Sequence, residues 1–108
     1  MAADLHVVSG GSARSGPVVL VTGAGGAIGS ALLRRFAAVG CRTVGTDIAP
    51  HAPDDLAPSL DLWVRADVTV AYDMEAAVAR TIDALGRLDV VVANAGITAL
   101  GSFEETED

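Results

Sequence analysis

Apolar positions along this chain follow two alternating rhythms. Residues 17–22 form an unbroken β-branched apolar run, the mark of a strand buried on both faces. The next segment places Ile28, Leu32, Phe36 and Val39 on one stripe at helical spacing, with Arg34 and Arg35 off it and Gly40 as the stop. Residues 41–47 read as a second strand. Residues 48–61 contain Pro50, Pro53 and Pro58, so a loop with at most a short helix is predicted. Residues 62–66 read as a third strand. Met74, Ala77, Val78, Thr81, Ile82 and Leu85 then repeat at helical spacing, with Asp73 and Glu75 favouring the N-terminal end and Gly86 the stop. Residues 88–93 are a fourth strand, apolar apart from Asp89, and residues 97–108 a loop leading towards a further helix. Strands alternating with helices require parallel pairing through right-handed crossovers. The predicted class is α/β: a doubly wound parallel sheet, truncated to about four strands, in the order 3-2-1-4.

Composition narrows the picture. A chain of 108 residues with 51% hydrophobic and 19% charged residues suits one domain with one core. Net charge is −7, and all 7 basic residues are Arg, with no Lys. Such a balance disfavours nucleic acid and anionic membrane as partners. Cys41 stands alone, which excludes an internal disulfide and fits a reducing cytoplasm. No stretch approaches the roughly 20 apolar residues of a membrane span. Residues 1–16 lack the apolar core of a signal peptide and read as a flexible N-terminal extension. Residues 17–108 are the folded unit.

The chemistry gathers where the strands end. Gly23, Gly25, Gly26 and Gly29 lie between the first strand and its helix, where a dinucleotide's pyrophosphate can rest on backbone N–H groups at the helix start. Asp47 ends the second strand, 18 residues after Gly29, where a carboxylate accepts hydrogen bonds from the adenosine ribose. It would repel a 2′-phosphate, and no basic residue lies among residues 23–29 or at Ile48 to offset that. NAD is therefore preferred over NADP. Asp67 could bond the adenine amino group while Val68 packs on the ring. In the block Asn94-Ala95-Gly96, Gly96 permits close backbone approach and Asn94 can tie strand ends through its amide. The expected cofactor-binding set is Gly23, Gly26, Ile28, Gly29, Asp47, Ile48, Asp67, Val68, Asn94, Ala95 and Gly96, in a Rossmann-like half-domain. Each member has a plain alternative: a tight turn for the glycines, a solvated strand end for Asp47, a helix-capping turn for Asp67. Their shared place at strand C-termini favours the site. His6 and His51 lack metal-ligand spacing, Cys41 reads as a small buried hydrophobe, Trp63 as packing, and the acidic end from Glu104 to Asp108 as solvated; no metal site is expected.

Thr22-Gly23 through Gly29, Asp67-Val68 and the block from Gly86-Arg87-Leu88-Asp89 to Asn94-Ala95-Gly96-Ile97 together resemble the short-chain dehydrogenase/reductase family, over residues 17–108. The glycine loop departs from the single-domain pattern, because Ala27 stands where its middle glycine falls. Gly23, Gly26 and Gly29 fit the extended branch of epimerases and dehydratases, while the longer Asn94 block favours the single-domain branch. Ala93 replaces a frequent Asn. The resemblance implies hydride transfer between NAD(H) and a carbonyl or alcohol. It also implies a catalytic Ser and a Tyr-x-x-x-Lys pair. The one tyrosine, Tyr72, is followed four residues on by Ala76, and the chain has no Lys. No catalytic residue is carried over. The chain is thus expected to be the cofactor-holding N-terminal portion of a cytoplasmic, homo-oligomeric oxidoreductase, inactive alone, with the fourth strand as an exposed edge. The alternative is a non-catalytic nucleotide-binding module or an inactive remnant.

Overall fold

Val18–Thr22 (β2) is buried at every position, which is why its sequence shows no polar alternation. The computed structural model describes residues 5–7 and 14–94. In it β2 pairs in parallel with Arg42–Asp47 (β3) on one side and Val90–Val92 (β5) on the other. Leu62–Arg65 (β4) extends the sheet in parallel beyond β3. These four strands realise the expected 3-2-1-4 order. Leu5–Val7 (β1) adds an antiparallel strand on the outer edge of β4, giving β1-β4-β3-β2-β5. This strand lies inside the segment expected to be a flexible extension. The strand is only three residues long, with the polar His6 at its centre, too short to stand out in the sequence.

Helices cover both faces of the sheet. Ala27–Ala38 (α1) and a 3-10 helix at Asp54–Ser59 pack one face, where Val19, Val21, Leu33, Leu56, Leu60 and Trp63 form the core. Ala71–Leu85 (α2) packs the other, with Ala77 set against Val18, Leu20, Val44, Leu62 and Val64. Each of these large side chains contributes about 1.5–3 kcal/mol on burial. Gly40 and Gly86 adopt positive φ (95° and 87°) just where the helices were expected to stop. The Gly86 N–H closes α2 on the Ile82 carbonyl at 2.8 Å.

The buried face of α1 differs from the expected stripe. Leu33, Ser30 and Gly29 are buried; Leu32 and Phe36 flank them; Ile28 and Val39 are 59% and 72% exposed. The reason is local. Gly29 approaches the Gly23 carbonyl so closely that a Cβ there would collide with it. That contact fixes the rotation of the helix and turns Ile28 outwards to the rim. On α2, Ile82 is likewise exposed although it lies on the predicted stripe.

At the N-terminal ends of the strands, two aspartates staple backbone to backbone. Asp61 Oδ2 accepts the Thr43 N–H at 2.8 Å and Arg14 Nη2 at 2.9 Å. Asp89 Oδ2 accepts the Val18 N–H at 2.8 Å while Arg87 grips the same carboxylate through Nε and Nη2.

Candidate functional site

The opposite rim, where the parallel strands end, is open. Gly23, Asp47, Ile48, Ala66, Asp67 and Val68 line a cleft of about 150 Å³ there. β2 delivers the chain to Gly23, whose positive φ of 66° turns it sharply. The Ala24 N–H donates to the Thr46 carbonyl at 3.1 Å, and the Gly26 N–H to the Gly23 carbonyl at 3.1 Å. The loop therefore hugs the sheet before α1 begins.

The start of α1 suits an anion. Gly26 caps the helix through its backbone with no side-chain hydrogen bond, and the first turn contains no acidic residue. The helix dipole and the first-turn N–H groups thus point at the rim with no counter-charge from the helix's own first turn. Gly29 and Gly25 keep that approach clear: a Cβ on Gly25 would stand 3.0 Å from Asp47 Oδ2. These features fit the pyrophosphate of a dinucleotide. Ala27, where the single-domain pattern has glycine, is exposed at the first helical position, so its methyl group is accommodated.

Asp47 binds the loop to the end of β3. Its Oδ2 accepts the Gly25 N–H at 2.8 Å, and its Oδ1 accepts the Ile48 N–H at 2.7 Å and the Ala49 N–H at 3.5 Å. Oδ1 is filled by its two donors, and Oδ2 keeps acceptor capacity for a further donor such as a hydroxyl. Asp67, at the end of β4, is shaped by an Asx turn. Its Oδ1 accepts the Thr69 hydroxyl at 2.6 Å and the Thr69 N–H at 2.9 Å. Those two donors hold its carboxyl below the usual carboxylate range, and the nearby Arg65 charge adds to the effect. Asp73, on the first turn of α2, braces Asp67 by accepting its N–H at 3.0 Å.

Ile28, Ile48 and Val68 are all exposed, the last two beside the cleft. Such side chains offer apolar surface on which a flat ring could pack. Asn94 lies outside the cleft lining. Its Nδ2 donates to the Thr22 carbonyl at 3.1 Å and the Gly23 carbonyl at 3.4 Å, tying the end of β5 to the end of β2. Ala95 and Gly96 lie outside the described residues. Among the described residues, no cluster of His, Cys, Asp and Glu is placed to hold a metal ion, and no helix is long and apolar enough to cross a membrane.

Several residues of the site escape motif reading. Gly45 is one: its missing Cβ would come 2.9 Å from both Ala24 Cβ and the Trp63 ring. Trp63 is fully buried beneath the loop, and its Nε1 donates to the Ala49 carbonyl at 3.0 Å. Arg65 Nε donates to the Ile48 carbonyl at 3.0 Å. Trp63 and Arg65 alternate on one face of β4, opposite Gly45 and Asp47 of β3. That alternation was the available signal, and it needs the strand register to be read.

The fold is a Rossmann-type doubly wound α/β sheet, with the cleft at the C-terminal ends of the parallel strands. Residues 17–108 match the family model described as short chain dehydrogenase, and the chain belongs to that family. It is 41% identical over 91 residues to an uncharacterised oxidoreductase of Schizosaccharomyces pombe, a match covering 83% of this chain and 34% of the relative. It is 40% identical over 93 residues to the meso-2,3-butanediol dehydrogenase of Serratia marcescens, covering 82% and 37% of the two chains. Among solved structures, the Escherichia coli hydroxysteroid dehydrogenase aligns with a TM-score of 0.68 at 29% identity, over 82% of this chain and 40% of that one. The Brucella melitensis 3-ketoacyl-(acyl-carrier-protein) reductase, solved with NADH, aligns with a TM-score of 0.62 at 30% identity, over 71% and 33%. The chain spans about a third of the length of these two curated relatives.

Proposed function

We propose that this chain is the NAD(H)-holding portion of a short-chain dehydrogenase/reductase of the single-domain branch. The observation that carries the reading is Asp47. Its carboxylate stands at the cleft between the glycine loop and the Ile48 turn, with Oδ2 left able to accept from an adenosine ribose hydroxyl. The uncapped start of α1 would receive the pyrophosphate. Asp67 and Val68 would bound the adenine. Ile28 and Ile48 would shield the bound nucleotide from water. The nicotinamide, when bound, supplies hydride chemistry towards a carbonyl or alcohol in the whole protein. The lone cysteine and the acidic charge support a cytoplasmic setting without nucleic-acid or membrane partners.

The chain by itself binds and does not turn over. Tyr72 is 75% exposed on the first turn of α2, Ala76 stands where a lysine partner would be, and the sequence has no Lys. A missing positioned acid or base costs roughly 10²–10⁴-fold in rate. Titration of the full chain with NADH, followed by Trp63 fluorescence and by calorimetry, tests the reading. Saturable binding is expected. A folded sample that takes up no NADH at millimolar concentration overturns it, and readily measured alcohol oxidation overturns the assignment of inactivity. The spacing Gly23, Gly26, Gly29 favours the extended branch as a second reading, in which the whole protein is of the epimerase or dehydratase type.

A further inference from the structure

β4 brings a cation to the edge of the cleft. Arg65 stands opposite Asp47 in the parallel register of β4 and β3. Residues paired in this way share a face of the sheet, as Trp63 and Gly45 do two positions earlier, where the ring lies against the glycine. The Nε bond to the Ile48 carbonyl folds the Arg65 side chain over the turn that follows Asp47. Arg14, Arg34 and Arg87 each lie within ion-pair distance of a carboxylate, and among the described residues Arg65 does not.

We propose that Arg65 is a second determinant of cofactor choice, its two terminal nitrogens donating to the 2′-phosphate of NADP(H) beside Asp47. This rests on the dinucleotide reading of the cleft and refines it. Asp47 alone would reject a 2′-phosphate by like-charge repulsion. Three backbone N–H groups already share the Asp47 charge, which softens that repulsion. With Nε committed to Ile48, Nη1 and Nη2 remain as a parallel pair of donors that matches two phosphate oxygens. The site therefore prefers NAD(H) but discriminates weakly.

The test is calorimetric titration of the full chain with NADH and with NADPH, at about 50 mM salt and again at higher salt. The wild-type ratio of the two dissociation constants is expected below about tenfold. Arg65→Gln should weaken NADPH about tenfold and leave NADH within about twofold, with Arg65→Lys recovering part of the loss. NADPH binding should fall more steeply with salt than NADH binding, and Arg65→Gln should abolish the difference. Unchanged NADPH affinity in Arg65→Gln overturns the proposal. Equal weakening of both cofactors also overturns it, because Arg65 would then act only through the Ile48 turn. A folded wild-type chain that binds neither cofactor overturns the dinucleotide reading and this inference together. NADH binding with NADPH insensitive to Arg65 overturns the inference alone.

Discussion

At the N-terminal rim of the parallel strands, Asp61 and Asp89 each accept a strand N–H and each hold an arginine. At the C-terminal rim, Asp47 and Asp67 also accept backbone N–H groups, but among the described residues neither has an ion-pair partner. The same side chain at the two ends of one sheet thus does different work. A carboxylate with an N–H and an arginine is neutralised and serves as a staple. A carboxylate held by neutral donors, N–H groups and in Asp67 also the Thr69 hydroxyl, keeps its net charge and part of its acceptor capacity, and so can read a ligand. The helices reinforce the contrast, because α1 directs its positive dipole end to the C-terminal rim.

The contrast is tested most severely at the glycine loop. Gly29→Ala places a methyl group against the Gly23 carbonyl, with backbone on both sides and nothing flexible to yield. The loop must shift, at a cost of about 1–3 kcal/mol in stability. NADH affinity should fall about a hundredfold or more, since an ångström of misplacement at a preorganised site has effects of that order. Near-normal NADH binding by a folded Gly29→Ala protein would show that the rim does not depend on this close approach.

Paired aspartate variants test the division of labour directly. Asp61→Ala strips the partly buried Arg14 and a buried strand N–H of their acceptor. Breaking a buried pair on one side costs about 3 kcal/mol or more, read as a lower urea midpoint, with NADH affinity per folded molecule unchanged. Asp47→Ala should show the reverse: below about 1 kcal/mol in stability, because water can reach the donors it frees, and about tenfold in NADH affinity. Equal destabilisation by the two variants would erase the distinction between staple and reader.

How legible this was depends on the range of the interaction concerned. Strands β2 to β5 stand in the β-branched runs to within two residues at each end, and Gly40 and Gly86 mark the helix ends by needing positive φ. These are local properties of the chain. Asp47, Asp67 and the glycines were legible because a βαβ unit fixes their placement once its strands are recognised. The rotation of α1 was not, because it follows from Gly29 meeting Gly23 across a turn rather than from apolar spacing. Gly45, Trp63 and Arg65 escaped for a related reason: each acts on a neighbouring strand or its turn, and only the register of β3 with β4 brings them together. No cation stands among residues 23–29 or at Ile48 in the sequence; Arg65 reaches Ile48 from the adjacent strand.

Trp63 offers a smaller test of the same rim. Trp63→Phe keeps most of the ring volume beneath Gly45 but removes the bond to the Ala49 carbonyl. About 1 kcal/mol of stability should be lost, the usual net contribution of such a hydrogen bond. NADH affinity should fall severalfold as the Ile48–Ala49 turn loosens. A variant that loses stability without losing affinity would place Trp63 with the core alone.

The finest comparison lies between two titrations. Asp89 is held below the usual carboxylate range first by Arg87 and then by the Val18 N–H. Asp67 is held there first by the Thr69 hydroxyl and then by the Thr69 N–H, with Arg65 a lesser contributor. A carboxyl whose folded-state value is lowered adds stability that is complete above its unfolded value of about 3.9. That contribution is lost as pH falls through the lowered folded-state value. Both rims therefore loosen in acid, and they differ in what salt does. A charge pair is screened over a Debye length of about 10 Å at 0.1 M salt, whereas a bond to a neutral hydroxyl is largely insensitive. Carboxyl carbon NMR titrations at low salt and at about 0.5 M should show the Asp89 midpoint rising towards the ordinary value while that of Asp67 moves less. Equal movement of the two would mean that Asp67 owes its low value to Arg65 rather than to Thr69. The C-terminal rim would then be partly neutralised by an arginine after all, as the N-terminal rim is.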